Sequence, residues 1–254
     1  NIYTQRNYGF STELRTQVAP FTAVSLGYRL EDVELFNISP AASSQILIEQ
    51  GTTTKSQITL GIANDTRDNP FLTRTGHRVT FTPYVAGGFL GGNEQIVGVT
   101  LEARQYFRLY KDSILLLSGS AASVDTWGDG TFVHIYDRLF LGGSNDLRGF
   151  SFRDVSPRDI NGEPLGGQSM AAFTIEYTMP IIEKARFAVF FDGGFVNRRA
   201  WDFDTKDYVD DVGIGLRLDL PIGPLRIDYG IPIEKGPYKD AGSGKFNFNV
   251  GYQF

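Results

Sequence analysis

Arg148 is the residue whose chemistry most needs a structural explanation. It stands in residues 141–152, LGGSNDLRGFSF, between Leu147 and the pair Gly149 and Phe150. The segment contains too much glycine for a stable helix, and an arginine is rarely buried without charged partners. If this segment folds into the interior of the protein, the guanidinium group therefore requires carboxylates.

Two carboxylates further along the chain meet that requirement. In residues 169–179 and 186–196 apolar residues alternate with others, which places Glu176 and Asp192 on the polar faces of two predicted strands. An arginine fork binds one carboxylate with two hydrogen bonds and leaves donors for a second. We therefore expect Arg148 to bind Glu176 and Asp192. The spacing alone is equally compatible with a solvated loop arginine and two unrelated carboxylates.

Other residues that carry chemistry are few. The chain contains no cysteine and two histidines, His77 and His134, which excludes thiolate sites and leaves little for a histidine-based metal site. A net charge of −5 argues against nucleic-acid binding, and no nucleotide-binding motif is visible. We predict no catalytic residue, no cofactor and no metal site.

An alternation of apolar and polar residues with a period of two runs through the chain and predicts strands. It is clearest in VGIGLRLDL at 212–220, LRIDYGI at 225–231 and FNFNVGYQF at 246–254. The pattern predicts about twelve strands, at residues 8–18, 21–33, 54–65, 77–86, 94–108, 113–126, 135–141, 169–179, 186–196, 209–220, 225–232 and 245–254. We therefore assign the chain to the all-β class.

The connections between these strands favour a transmembrane antiparallel up-and-down β-barrel. Short turns, such as 19–20, 110–112 and 221–224, alternate with long loops, such as 34–53 and 142–168. No apolar run approaches the ~18 residues of a membrane-spanning helix, but a barrel strand needs only ~9–11 residues. We expect the apolar faces to meet lipid and residues 142–168 to fold back into the lumen. A soluble β-sandwich or lipocalin-like barrel, with its apolar face inward, is the alternative.

Several segments resemble BamA-type outer-membrane assembly proteins, of the surface-antigen and two-partner-secretion superfamily. GGSNDLRGF at 142–150 resembles the V/I-R-G-F/Y signature of their sixth extracellular loop, with Leu147 in place of Val or Ile. The other similar segments follow the family's order: DTRDNPFLTRTGHRVTF at 65–81, FTIEYTMPI at 173–181, FAVFFDGGFV at 187–196, GIGLRLDLPIGPLRIDYGIPI at 213–233 and FNFNVGYQF at 246–254. The resemblance implies that Leu147, Arg148, Gly149 and Phe150 anchor the loop, with Glu176 and Asp192 as the lumen partners of Arg148.

The barrel of that family has sixteen strands and follows periplasmic repeat domains. The resemblance therefore implies that residues 1–254 are the C-terminal part of such a barrel, without the first strands and the repeat domains. It implies a location in the bacterial outer membrane and a function in folding and inserting β-barrel proteins. The implied partners are membrane lipids, unfolded outer-membrane protein clients, and periplasmic or lipoprotein accessory subunits.

In the family, client strands enter at a seam between the first and last strands, where an open edge can template another strand. The last predicted strand carries residues that resemble the terminal signal of such clients: Phe246, Phe248, Val250, Gly251, Tyr252 and Phe254. Gly251 either permits an inward bend of this strand or is a small residue that faces the lumen.

Two other functions stay open at this point. A secretion pore of the two-partner type shares the signature loop but exports its cargo through the lumen. An outer-membrane phospholipase-like enzyme uses about twelve strands and a Ser–His pair. His77 and His134 lie near the ends of predicted strands, yet the nucleophile motif G-x-S-x-G is absent.

Overall fold

A computed structural model describes residues 3–40, 42–70, 72–220, 223–238 and 242–250. Within them, eleven β-strands form one antiparallel sheet in which each strand pairs with its neighbours in sequence, so the predicted all-β, up-and-down architecture is confirmed. The strands are β1 (Thr4–Ala19), β2 (Thr22–Phe36), β3 (Gly51–Asp65), β4 (Gly76–Ala86), β5 (Ile96–Arg108), β6 (Ile114–Thr126), β7 (Ser169–Ile182), β8 (Ala185–Asn197), β9 (Val209–Leu220), β10 (Gly223–Pro232) and β11 (Lys245–Val250). A short helix, α1 (Ser44–Ile48), lies in one loop. In the described part of the chain, no helix has the length and apolar character needed to cross a bilayer.

The outer face of the sheet carries the apolar residues of the alternation. Ile175, Ile214 and Phe248 are 44%, 52% and 61% exposed, whereas Glu176 and Asp192 on the opposite face are buried. An exposed apolar wall around a polar interior is what a lipid-facing barrel requires. The expectation that the apolar rows face outward is therefore confirmed, and the alternative with an inward apolar face is wrong.

Long and short connections lie at opposite ends of the sheet. The short ones, at 20–21, 66–75, 109–113, 183–184 and 221–222, join strands at one end. The long ones join strands at the other end, at 37–50, 87–95, 127–168, 198–208 and 233–244. This is the arrangement of outer-membrane barrels, with short periplasmic turns and longer extracellular loops.

Residues 135–141 do not form the predicted strand, which is a correction to the sequence analysis. The backbone N–H of Ile135 donates to the Glu49 carboxylate at 2.7 Å, and the Arg138 guanidinium donates to the same carboxylate at 2.9 Å. These bonds hold the segment in a turn, and isolated bridges link it to other parts of the loop. Six strands, not seven, therefore precede the glycine-rich segment, and the sheet has eleven strands instead of twelve.

The first and last strands of the sheet stay apart. Among the described residues, β1 pairs with β2 alone and β11 pairs with β10 alone. Each of these two strands therefore keeps one edge of backbone groups without a strand partner in that part of the chain. Residues 251–254 of the predicted last strand lie outside the described residues.

Candidate functional site

The glycine-rich segment of loop 127–168 folds into a tight turn that presents Arg148 to the lumen. The Asp146 carboxylate accepts hydrogen bonds from the backbone N–H groups of Gly142 (2.7 Å) and Leu147 (2.6 Å). Gly142 and Gly143 have φ values of 107° and 113°, a conformation that side chains other than hydrogen rarely permit. The two glycines and the hydrogen bonds to Asp146 therefore define the backbone of the turn that leads into Arg148.

Arg148 is 3% exposed and binds both carboxylates that the sequence places on the lumen face. Its Nε and one terminal nitrogen donate to the two oxygens of Asp192 at 2.7 and 2.8 Å. The other terminal nitrogen donates to Glu176 at 2.6 Å. The Cζ atom of the guanidinium lies 3.4 Å from the centre of the Phe190 ring, a cation–π arrangement. The structure therefore brings Arg148, Glu176 and Asp192 together.

A second arginine joins the same network from β9. Arg217 donates to Glu176 at 2.7 Å and to Asp228 of β10 at 2.6 Å, and Asp228 lies 3.6 Å from Arg148. Arg226 lies 3.1 Å from Asp228 and donates to the backbone carbonyl of Ser144 in the loop. Buried charges require partners of opposite charge, and four adjacent strands, β7 to β10, supply them in this network.

The alternation at 212–220 and 225–231 places Arg217 and Asp228 on the polar faces of their strands, but it does not identify them as members of the site. An alternation with a period of two shows on which face of a strand a side chain lies, but not which side chains of neighbouring strands lie opposite one another. The register determines that, and it places Arg217 opposite Arg226 in the β9–β10 pair.

Two apolar residues seat the loop on the barrel wall. Leu147 and Phe150 flank the arginine and its glycine, and both are buried. They pack in one cluster, which also contains Leu141, Val155, Val196, Val209 and Tyr238. We call Leu147, Arg148, Gly149 and Phe150, with the carboxylates that bind Arg148, the clamp. The clamp combines a buried ion network with an apolar contact on either side of it.

The backbone at Gly149 passes very close to β9 and β10. Its N–H donates to Asp211 at 2.9 Å, and a Cβ atom added at Gly149 would lie 2.6 Å from the Cβ of Asp211. A Cβ added at Gly230 of β10 would lie 2.6 Å from the carbonyl carbon of Arg148. Both positions favour glycine because a side chain would collide with Asp211 at Gly149 and with the backbone of Arg148 at Gly230.

The last described strand is also tied to the clamp. The side-chain amide of Asn247 in β11 donates to the backbone carbonyl of Arg148 at 2.7 Å. Phe246, Phe248 and Val250 of the predicted terminal signal lie exposed on the outer face of this strand. Gly251, Tyr252 and Phe254 lie outside the described residues.

A second buried group of charges holds the long loops together. Lys55 of β3 forms an ion pair with Asp137 of loop 127–168, and Glu94, between β4 and β5, is 2% exposed beside them. Neither Glu94 oxygen has a hydrogen-bond partner among the described residues. Burial, and then the neighbouring Asp137, raise the pKa of Glu94 well above its ordinary value of 4.5.

The histidines lie in polar contacts without a serine. His77 contacts Asn64 and Thr66, and His134 stacks on Tyr136 at 5.1 Å between ring centres. In the ranges that the structure covers, neither imidazole hydrogen-bonds a serine hydroxyl. The geometry therefore offers no Ser–His pair at these positions.

Comparison with known proteins places this architecture in a family. The model of the Omp85 superfamily domain matches residues 1–254. The outer membrane protein assembly factor BamA of Nitratidesulfovibrio vulgaris is 28% identical over 256 residues, which cover 99% of this chain and 32% of that protein. The sorting and assembly machinery component 50 homolog of Homo sapiens is 28% identical over 148 residues, which cover 58% of this chain and 31% of that protein. The chain thus spans about a third of the length of these relatives.

A solved structure shares the fold. The crystal structure of BamA from Haemophilus ducreyi lacking POTRA domains 1–3 superimposes with a TM-score of 0.82 at 21% sequence identity. The match covers 99% of this chain and 55% of that one.

Proposed function

Because the chain belongs to the Omp85 superfamily, we propose that it forms part of a factor that folds β-barrel proteins and inserts them into the bacterial outer membrane. The named relatives are assembly factors, and the chain itself is an open antiparallel sheet with a lipid-facing outer side. Its clients are unfolded outer-membrane proteins, and periplasmic or lipoprotein subunits assist it. The chain acts by positioning strands and carries no catalytic residue.

The observation that carries this proposal is a wall braced by the loop, next to a strand edge that has no strand partner among the described residues. β7 to β10 are locked to the loop by the Arg148 network, while β11 keeps one edge without a strand partner among the described residues. A free edge offers backbone donors and acceptors in register, which an incoming strand can pair with. Pairing is strongly favoured in a bilayer, where unpaired backbone groups have no water to bind.

The residues of the clamp act in this proposal as a loop anchor. Leu147 and Phe150 provide apolar seating, Gly149 permits the close backbone approach, and Arg148 binds Glu176 and Asp192. The anchor keeps the loop inside the lumen and holds the wall in shape while strands are added at the edge. The aromatic residues of the last strand serve as the terminal signal.

The chain supplies the C-terminal part of the barrel in this proposal. The superposition covers 99% of this chain and 55% of the solved BamA chain, which supports the proposal that further strands and periplasmic repeat domains belong before β1. Those first strands would provide the other side of the seam at which clients enter.

The proposal is tested with the whole protein reconstituted in liposomes. A urea-unfolded eight-stranded barrel is added, and its insertion is followed by protease protection. We expect faster insertion than in liposomes that contain an unrelated porin, and slower insertion when Arg148→Ala is used, because the anchor is lost. Arg15→Gln, on β1 and outside the network, serves as the control with unchanged rate.

Two results would contradict the proposal. Insertion no faster than with the porin would remove the assembly function. Transfer of an added polypeptide into the liposome interior, without its insertion into the bilayer, would identify a secretion pore instead.

A further inference from the structure

Three arginines lie side by side across the lumen face of neighbouring strands. Arg186 of β8 pairs in register with Arg217 of β9, and Arg217 pairs with Arg226 of β10. We call these three residues the arginine row. Like charges directly opposite one another destabilise an antiparallel pair, so strand pairing alone disfavours this row.

The carboxylates near the row are each shared between arginines. Glu176 binds Arg217 at 2.7 Å and Arg148 at 2.6 Å. Asp228 binds Arg217 at 2.6 Å and lies 3.1 Å from Arg226. An arginine has five N–H donors, so two carboxylates divided in this way leave the row with more donors than acceptors.

Arg186, at the end of the row, shows this excess directly. Its carboxylate partner, Asp112, lies 3.3 Å away and also binds Arg74 (3.2 Å) and Arg108 (2.9 Å). The Nε of Arg186 is buried and has no hydrogen-bond partner in the part of the chain that is described. A buried, unpaired donor on a cation is costly, and an anion in the adjoining space would satisfy it.

That space exists between the loop and the short turns. A cavity of about 490 Å³ is lined by eight cationic and three anionic side chains, the arginine row among them. Arg104 of β5 also lines the cavity and makes no ion pair within the described ranges. Ile114 and Leu116 of β6 add an apolar wall. The cavity reaches Lys184 in a short turn, so it opens at the end of the barrel that faces the periplasm.

We propose that this cavity binds a phosphate-bearing anion on the arginine row. The planar fork of arginine matches the oxygens of a phosphate group, and Arg104 and the Nε of Arg186 supply donors that carboxylates leave free. The volume suits a small ligand, which favours a phosphate compound over a folded acidic segment. The apolar wall at Ile114 and Leu116 accommodates the hydrophobic part of an amphiphile such as a phospholipid. This inference does not depend on the assembly function.

The test is calorimetric titration of the whole protein in non-ionic detergent. The two probes are inorganic phosphate and dihexanoyl phosphatidic acid, which separate a soluble phosphate from a lipid headgroup. We expect saturable binding of at least one probe, weakened about tenfold by Arg104→Gln and by Arg186→Gln, the effect of one charge-assisted hydrogen bond. Tighter binding of the lipid assigns the site to a headgroup, and equal binding assigns it to free phosphate.

Matched variants separate binding from folding. Arg104→Gln removes a side chain without an ion pair in the described chain, so the fold should persist, and Arg226→Lys keeps the charge of the row but loses the fork. Both should weaken binding, and Arg104→Gln should do so without a change in melting temperature, while Arg15→Gln should bind as the unaltered protein does. Absence of saturable binding, equal affinity in all variants, or binding of hexaglutamate in place of both phosphate probes would overturn the proposal.

Discussion

β1 and β8 differ sharply in burial although both are long antiparallel strands of one sheet. Every residue of β1 is exposed, and its register with β2 continues along almost its whole length. In β8, by contrast, Asp192 and Val196 are fully buried. β8 pairs with a strand on each edge and carries the loop on its lumen face, whereas β1 has one strand partner among the described residues and no buried residue.

The comparison separates two contributions to this fold. Strand pairing sets the extended shape of β1 without side-chain burial, because the backbone groups on the edge that faces β2 find their partners there. Burial and charge pairing on the C-terminal side come from one loop segment, which contributes Leu147, Arg148 and Phe150 to the wall. The sheet is therefore a continuous ladder whose interior on the C-terminal side is formed by loop 127–168.

Arg148→Ala should have the largest effect on the difference between β8 and β1. The substitution leaves Glu176 and Asp192 buried with fewer cations, and removal of one partner from a buried pair costs about 3–5 kcal/mol. We expect a lower melting temperature in detergent, and proteolysis of loop 127–168 under conditions where the β1–β2 hairpin stays intact. An unchanged melting profile, with Glu176→Ala equally silent, would show that the network does not stabilise the fold.

A pair of identical substitutions sharpens the comparison. Leu147 is 0% exposed and Leu14 of β1 is 75% exposed. Leu147→Ala should cost about 2–5 kcal/mol through a cavity in the apolar seat, whereas Leu14→Ala should stay within about 0.5 kcal/mol, as exposed substitutions do. Urea unfolding in detergent measures both. Equal costs would mean that burial under the loop adds nothing to β8.

Gly149→Ala tests the close approach of loop and wall. The added Cβ would meet the side chain of Asp211 at 2.6 Å, so the loop must move, at a cost of about 1–3 kcal/mol. Hydrogen exchange should show faster exchange in the loop and no change in β1. Gly162→Ala in the same loop, where an added Cβ meets no atom within 4 Å but φ is 84°, controls for backbone strain alone.

The smallest effect is expected from pH, and it concerns the long-loop end of the sheet. The folded state raises the pKa of Glu94 above 4.5. Folded Glu94 therefore keeps a proton that the unfolded chain releases above pH 4.5. The contribution of this group to stability falls as the pH rises from 4.5 towards the raised pKa. We expect hydrogen-exchange protection of residues 87–95 to fall between pH 5 and pH 9 while β1 shows no matching change. Glu94→Gln should abolish this dependence. A fall that persists in the variant would assign it to another group.

The sequence predicted the clamp better than it predicted the loop. The period of two placed Glu176 and Asp192 on the lumen face, because side chains of a strand alternate strictly. The same alternation at 135–141 predicted a strand that is absent. There the deciding contact is with Glu49, 86 residues earlier in the chain, and no local pattern contains that information.

The charge network shows the same limit. The alternation of the two strands places Arg217 and Arg226 on the lumen face, but their position opposite one another depends on the register of the β9–β10 pair. Register combines turn geometry with the stagger of every neighbouring strand. Face can therefore be predicted from residues alone, whereas the partners within a face require the assembled sheet.

The hydrogen bond from Asn247 to the carbonyl of Arg148 has a mechanical consequence. Displacement of β11 from β10 removes the donor of this hydrogen bond from the loop. Pairing of β11 with β10 and ordering of the loop at Arg148 are therefore coupled, and by reciprocity each stabilises the other. A spectroscopic label beside the clamp would therefore report the displacement of β11 from β10.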